Sequence, residues 1–413
     1  MRRSKEYRVY KSIKHWKPIN EIILMEELAD SKDPLAPLFF YLYNKTKEEY
    51  KKFPQRKDGQ DSFIHPLNVV WNLKQAGVEN YITLCAAIVH DLVEELVDHY
   101  KKEKKLKEQG KNIKILDQYE EKISQTLQKD LLNFCKKFKI NSDSVKEIIA
   151  LIKLLTRHKR HLYYHSLSAI FIHPDKVQKK RAIQIKLADR LHNIQTISCY
   201  DYQGKIYQAF KNLFILNNVK NFLIEIDFNP DRGQYPTEKL FKKCAKATYD
   251  AFLLVCKEHA PKILLQNESL LQLAFRKYIW VRKGLSSVTQ INENETHPMR
   301  LFQGIVRKYD ARLHQEWDSY QKQKDEEITY CKKFFVDFNF DDKQLESIIY
   351  YKDAYALKEV IIGLIYKKNY SLKGFGCSEL CTRGQKCLIA INQKKLLGNS
   401  SKVVKRLPKQ KSS

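Results

Sequence analysis

His90 and Asp91 stand side by side, His65 lies upstream, and Asp189 follows His90 by 99 residues. Two imidazoles and two carboxylates form a mixed nitrogen and oxygen set that suits one borderline or hard divalent ion and leaves positions for water. An ion with open positions makes hydroxide available near neutral pH, and that chemistry is hydrolysis.

Three segments must position these residues. Thr83 to Val97 has helix formers throughout and no Gly or Pro, so its composition predicts one helix. On such a helix His90 and Glu94 share a face, and Asp91 and Glu95 share the next. Burying so many ionisable groups is costly unless a metal and an anionic substrate offset it. In Ala182 to Thr196, the residues Asp189, Asn193 and Thr196 follow i, i+4, i+7 and line one face, a carboxylate, an amide and a hydroxyl running from metal to ribose. In Arg56 to Pro66, the cations Arg56 and Lys57 precede a turn with Gly59, and His65 opens the next helix. Each piece alone is weak. His99, His158, His161, His165 and His173 show how many histidines here need no role. The combination and its order carry the signal.

That combination resembles the HD hydrolase domain of the RelA/SpoT family, which removes the 3′-pyrophosphate of the alarmones ppGpp and pppGpp. The matching pieces are R-K-x-G and I-H-P within 56–66, H-D-x-x-E-E at 90–95, and I-K-L-A-D-R-L-H-N at 185–193. They span about residues 40–200. The resemblance implies that His65, His90, Asp91 and Asp189 ligate a divalent metal, usually Mn2+. It implies that Glu94 and Glu95 position or activate the attacking water. Arg56 and Lys57 fall near base and phosphates, and Asn193 and Thr196 beside the ribose. Asp58 and Ser62 stand where the family commonly has Ser and Tyr, and Glu95 where Asp is usual.

The other 413-residue features set the frame. Apolar residues at 43% and charged residues at 30% are ordinary for a globular chain. No run of 18 apolar residues suggests a membrane span, and no apolar signal segment follows the basic N-terminus. The net charge is +27, yet only 16 of 75 basic residues are Arg. Nucleic-acid readers favour the bidentate Arg fork, so the Lys excess reads as a solvated surface that attracts small anions. Nine cysteines, most alone in apolar helical contexts, fit a reducing, cytoplasmic setting. Cys377, Cys381 and Cys387, with Cys331 as a fourth, form a loose cluster that falls short of a zinc-site spacing.

The expected architecture is mainly α: an HD-domain helical bundle with a helical C-terminal extension. A basic arm covers 1–20. The HD phosphohydrolase domain covers 21–228, with a charged stretch at 100–129 read as an inserted helical excursion or loop. The breaker cluster Asn229 to Pro236 marks a boundary, with Thr237 capping the next helix. A helical region of unassigned role covers 237–392, and a basic tail without regular structure covers 393–413. The expected reaction is metal-dependent hydrolysis of (p)ppGpp to GDP or GTP and pyrophosphate. Two alternatives stand beside it. One is an HD-family phosphatase acting on another nucleotide or a phosphorylated dinucleotide cofactor. The other is an alarmone-sensing protein whose basic C-terminal half binds nucleic acid or another anionic partner weakly and in a salt-dependent way.

Overall fold

The computed structural model describes residues 15–107, 111–158, 163–227, 235–259, 361, 364–365 and 368–371. Among these residues the regular structure is helical, with no strand. In chain order the helices are α1 (Met25–Leu28), α2 (Ala36–Tyr50), α3 (Ile64–Ala76), α4 (Tyr81–Ile88), α5 (Leu92–Glu103), α6 (Lys111–Phe138), α7 (Ser142–Leu155), α8 (Tyr163–Phe171), α9 (Lys176–Gln195), α10 (Tyr202–Glu225) and α11 (Pro236–His259). None is long and apolar enough to cross a membrane.

The body is built around α9. Asp175 caps its start by accepting from the backbone N–H groups of Val177 and Gln178. From Ala182 to His192 every residue except Lys186 is buried. The helix touches α3, α4, α7, α8, α10 and α11, so it has no solvent face along that stretch. α3 crosses it with Leu67, Val70 and Leu73 fully buried. α3 ends on Gly77 at φ 88°, whose N–H donates to the Leu73 and Lys74 carbonyls. A residue with a Cβ is strained in that left-handed closure.

Three expectations need revision. Thr83 to Val97 is two helices. α4 ends at Ile88, the chain turns through Val89, His90 and Asp91, and α5 begins at Leu92. Next, the charged 100–129 stretch contains much of α6, and α6 is packed. Its Leu116, Leu127 and Leu131 are buried, Lys45 on α2 pairs with Asp130 at 2.8 Å, and Tyr119 stacks on Tyr100 of α5. Finally, the breaker cluster does not separate two bodies. α11 packs along α9, α10 and α3, and its Leu240, Cys244, Thr248 and Ala251 are buried. Pro236 opens α11, and Thr237 is its second residue. The Thr237 hydroxyl accepts from Gln184 Nε2 at 2.9 Å, so it joins α11 to α9 instead of capping.

The few described residues between 361 and 371 also pack on the body. Ile361, Leu364, Ile365 and Tyr370 belong to the same core, and Lys368 pairs with Asp227 at 2.8 Å. Most of the expected helical region at 237–392, the four-cysteine cluster and the basic tail lie outside the described residues.

Two outcomes follow. A chain ending at residue 235 loses Leu240, Phe241, Cys244 and Ala245 from a fully enclosed core. Each large apolar side chain contributes about 1.5–3 kcal/mol by burial, against a total stability of roughly 5–15 kcal/mol. Calorimetry of that truncation should show no cooperative unfolding; a native-like transition would contradict this packing. The second concerns Lys220, fully buried on α10, whose Nζ donates to the Leu364 carbonyl at 2.7 Å. Burial and nearby Lys242 push its pKa down to about 7 from 10.5. Between those values the unfolded chain binds the proton and the folded chain does not, so stability rises with pH across that window. Lys211 and Lys243 shift the same way. Lys220→Met should flatten the slope of stability against pH above 7 by up to about 1.4 kcal/mol per pH unit. An unchanged slope in denaturant titrations would show that Lys220 is not the source.

Candidate metal centre

The break between α4 and α5 makes the centre possible. Adjacent residues on a continuous helix diverge by about 100°, so His90 and Asp91 could not both face one point. At the turn they do: His90 Nε2 lies 3.1 Å from Asp91 Oδ2. Asp91 sits at the N-cap of α5 without capping it. His90 Nδ1 lies 2.8 Å from the Ala87 carbonyl and donates to it, fixing the tautomer in which Nε2 is a bare lone pair.

His65 enters from the first turn of α3. Asp61 supports that turn, its carboxylate accepting from the Phe63 N–H and its carbonyl from the Ile64 N–H. His65 Nε2 lies 3.2 Å from Asp91 Oδ2 and 3.5 Å from Asp189 Oδ1. Asp189 comes from the buried centre of α9. One ligand atom from each of His65, His90, Asp91 and Asp189 lies within 4.8 Å of the others. Ligand atoms about 2.1 Å from one ion stand at most about 4.2 Å apart, so small shifts close the set.

The electrostatics fit a cation. Burial alone would raise the Asp189 carboxyl, but Lys186 Nζ at 2.7 Å and His65 hold it well below the usual carboxylate range. Asp91 is also held well below that range against its burial by His90 and His65. Both are therefore ionised. Against its burial, Asp91 and Asp189 raise the His90 pKa, so positive charge is favoured where Nε2 meets the carboxylates, carried by a ring proton or by a divalent ion that Nε2 would ligate. Two ionised carboxylates and two imidazole nitrogens converging on one point are the sign that the residues present fit a divalent ion.

A cavity of about 160 Å³ opens beside the carboxylates and reaches neither imidazole. Its lining includes Glu94, Glu95, Arg157, Lys186, Asn193 and Lys211. Glu94 Oε1 accepts from Arg157 Nε at 2.9 Å. Burial beside Asp91 and Glu94 pushes Glu95 up to about 7. Asn193 Nδ2 donates to Asp189, and its Oδ1 accepts from Arg56 Nη2 at 3.4 Å. Arg56 opens a turn closed by Gly59 at φ 81°, and Lys57 Nζ lies 4.5 Å over the Tyr200 ring. Thr196 is not among the cavity residues. It is the C-cap of α9, and its hydroxyl donates back to the His192 and Asn193 carbonyls.

Lys186, His192, Arg157, Lys211 and Tyr200 were not nominated from the sequence. Lys186 and His192 lie three residues either side of Asp189, a spacing that puts all three on one helical face. Arg157 and Lys211 come from other parts of the chain and carried no local signal.

Asp189→Ala removes a ligand from the central helix. Metal analysis after dialysis should find the bound divalent ion lost from this variant and retained by the parent chain; equal retention would show the centre is misassigned.

Comparison with protein families finds an HD domain at residues 62–194. No curated protein and no solved structure gives a significant match to the chain. The matched span runs from just before α3 to the end of α9 and contains all four candidate ligands.

Proposed function

We propose that this chain hydrolyses the 3′-pyrophosphate of guanosine polyphosphates, releasing GDP or GTP and pyrophosphate, with Mn2+ as the resident ion. The coarser statement stands on its own: an HD domain with a His/Asp cluster able to hold a metal suggests a metal-dependent phosphohydrolase. The observation that carries the finer reading is the cavity beside the cluster, where Arg157, Lys186 and Arg190 gather next to Asp91 and Asp189. Three cations around a small cavity favour a substrate with phosphate charges.

A divalent ion held by His65, His90, Asp91 and Asp189 would supply Lewis acidity toward water and the phosphoryl oxygens. The protein's own groups do the rest. Glu95, with its pKa near 7, is suited to take a proton from the attacking water and later return one. As water adds to the 3′-phosphorus, the bond to the ribose 3′-oxygen breaks, and the 3′-hydroxyl takes up a proton. Glu94, held by Arg157, orients the water and does not ligate. The cations of the cavity oppose charge on the pyrophosphate as it departs. Arg56 and Lys57 face base and phosphates, and Asn193 bridges Asp189 to Arg56 on the ribose side.

The test is purified chain with Mn2+ and a panel of nucleotides, products resolved by chromatography. ppGpp and pppGpp should yield GDP and GTP with pyrophosphate. Turnover of a phosphorylated dinucleotide cofactor with none of ppGpp would overturn the substrate assignment. Glu95→Gln should keep the metal and lose roughly 10²–10⁴-fold in rate; loss of metal with rate would contradict this division of roles.

A further inference from the structure

We infer that His192 is a positioning residue for the metal centre, accepting a hydrogen bond from His65 and thereby holding the His65 Nε2 lone pair toward the ion. The inference rests on the metal reading above and concerns a residue outside the four ligands.

His192 is fully buried on α9, one turn beyond Asp189. Its Nδ1 lies 2.8 Å from His65 Nδ1, with ring centroids 5.1 Å apart. At that distance one nitrogen carries the proton and the other accepts it. The ring is fully buried against His65, and a neutral imidazole has one N–H. Two arrangements are then open. If His192 donates, His65 carries its proton on Nε2, aimed at Asp91 and Asp189, and cannot ligate. If His65 donates from Nδ1, its Nε2 is bare and faces the ion, and His192 carries its own proton on Nε2. Metal binding selects the second.

Ligating histidines usually donate their second N–H to a carboxylate, a carbonyl or water. Here the acceptor is a neutral ring. Two ionised carboxylates already crowd the centre, and a third beside His65 would add like-charge repulsion. A neutral acceptor orients His65 without that cost.

The experiment titrates Mn2+ into the full chain by calorimetry, comparing parent, His192→Leu, His192→Asn and His192→Gln. Asn places its Oδ1 where the His192 Nδ1 stands; Gln places its oxygen further out. His192→Leu should weaken Mn2+ binding by roughly 10–100-fold, and Asn should restore it to within about threefold of the parent. Gln should not. If the Leu variant fails to fold, the Asn and Gln pair decides: equal affinities for those two overturn the inference. Parent-like affinity in a folded Leu variant overturns it while leaving the metal reading intact. A parent chain that binds no Mn2+ removes the metal reading and this inference together.

Discussion

Asp189 is an ionised carboxylate at the middle of a helix enclosed by six others, and the rest of the centre is arranged around that charge. It is 3% exposed. An isolated carboxylate so placed would take up a proton. Lys186, Asn193 and His65 keep it ionised, and Asp91 brings a second negative charge to the same point. A divalent cation held among these atoms would balance the pair. Enclosure of α9 is therefore the structural condition, and the charge balance is its chemical consequence.

The turn at His90-Asp91 answers the same constraint from the other side. A straight helix offers one ligand per turn toward a fixed point. Breaking it lets two neighbours serve one ion, and the His90 ring donates to the Ala87 carbonyl at the break. The two imidazoles close the back of the centre, and the two carboxylates face the cavity. The carboxylate side of the centre and the cations of the cavity thus coincide.

Much of this was legible in the sequence. The helical class followed from residue types and spacing, and the four residues singled out as candidate ligands are brought together in space. The helix break was not legible, because Thr83 to Val97 holds only good helix formers and propensity yields to tertiary demand. Yet two adjacent residues named as ligands to one ion already contradict a straight helix, so the information was present. The packing of α6 and α11 was hidden differently. Many charges in α6 masked a narrow apolar stripe at Leu116, Leu127 and Leu131. The Pro and Gly cluster before α11 looked like a boundary, yet α11 packs on α9. Thr196 fitted the i, i+7 stripe and still turned inward, because a hydroxyl at a helix end readily bonds its own carbonyls.

The central claim is that His65, His90, Asp91 and Asp189 hold one divalent ion. Anomalous diffraction from crystals of the full chain grown with Mn2+ tests it most directly. The account predicts one strong peak bounded by His65 Nε2, His90 Nε2 and the Asp91 and Asp189 carboxylates. Density that shows these four side chains ordered with no peak among them, or a peak held by other residues, would contradict it.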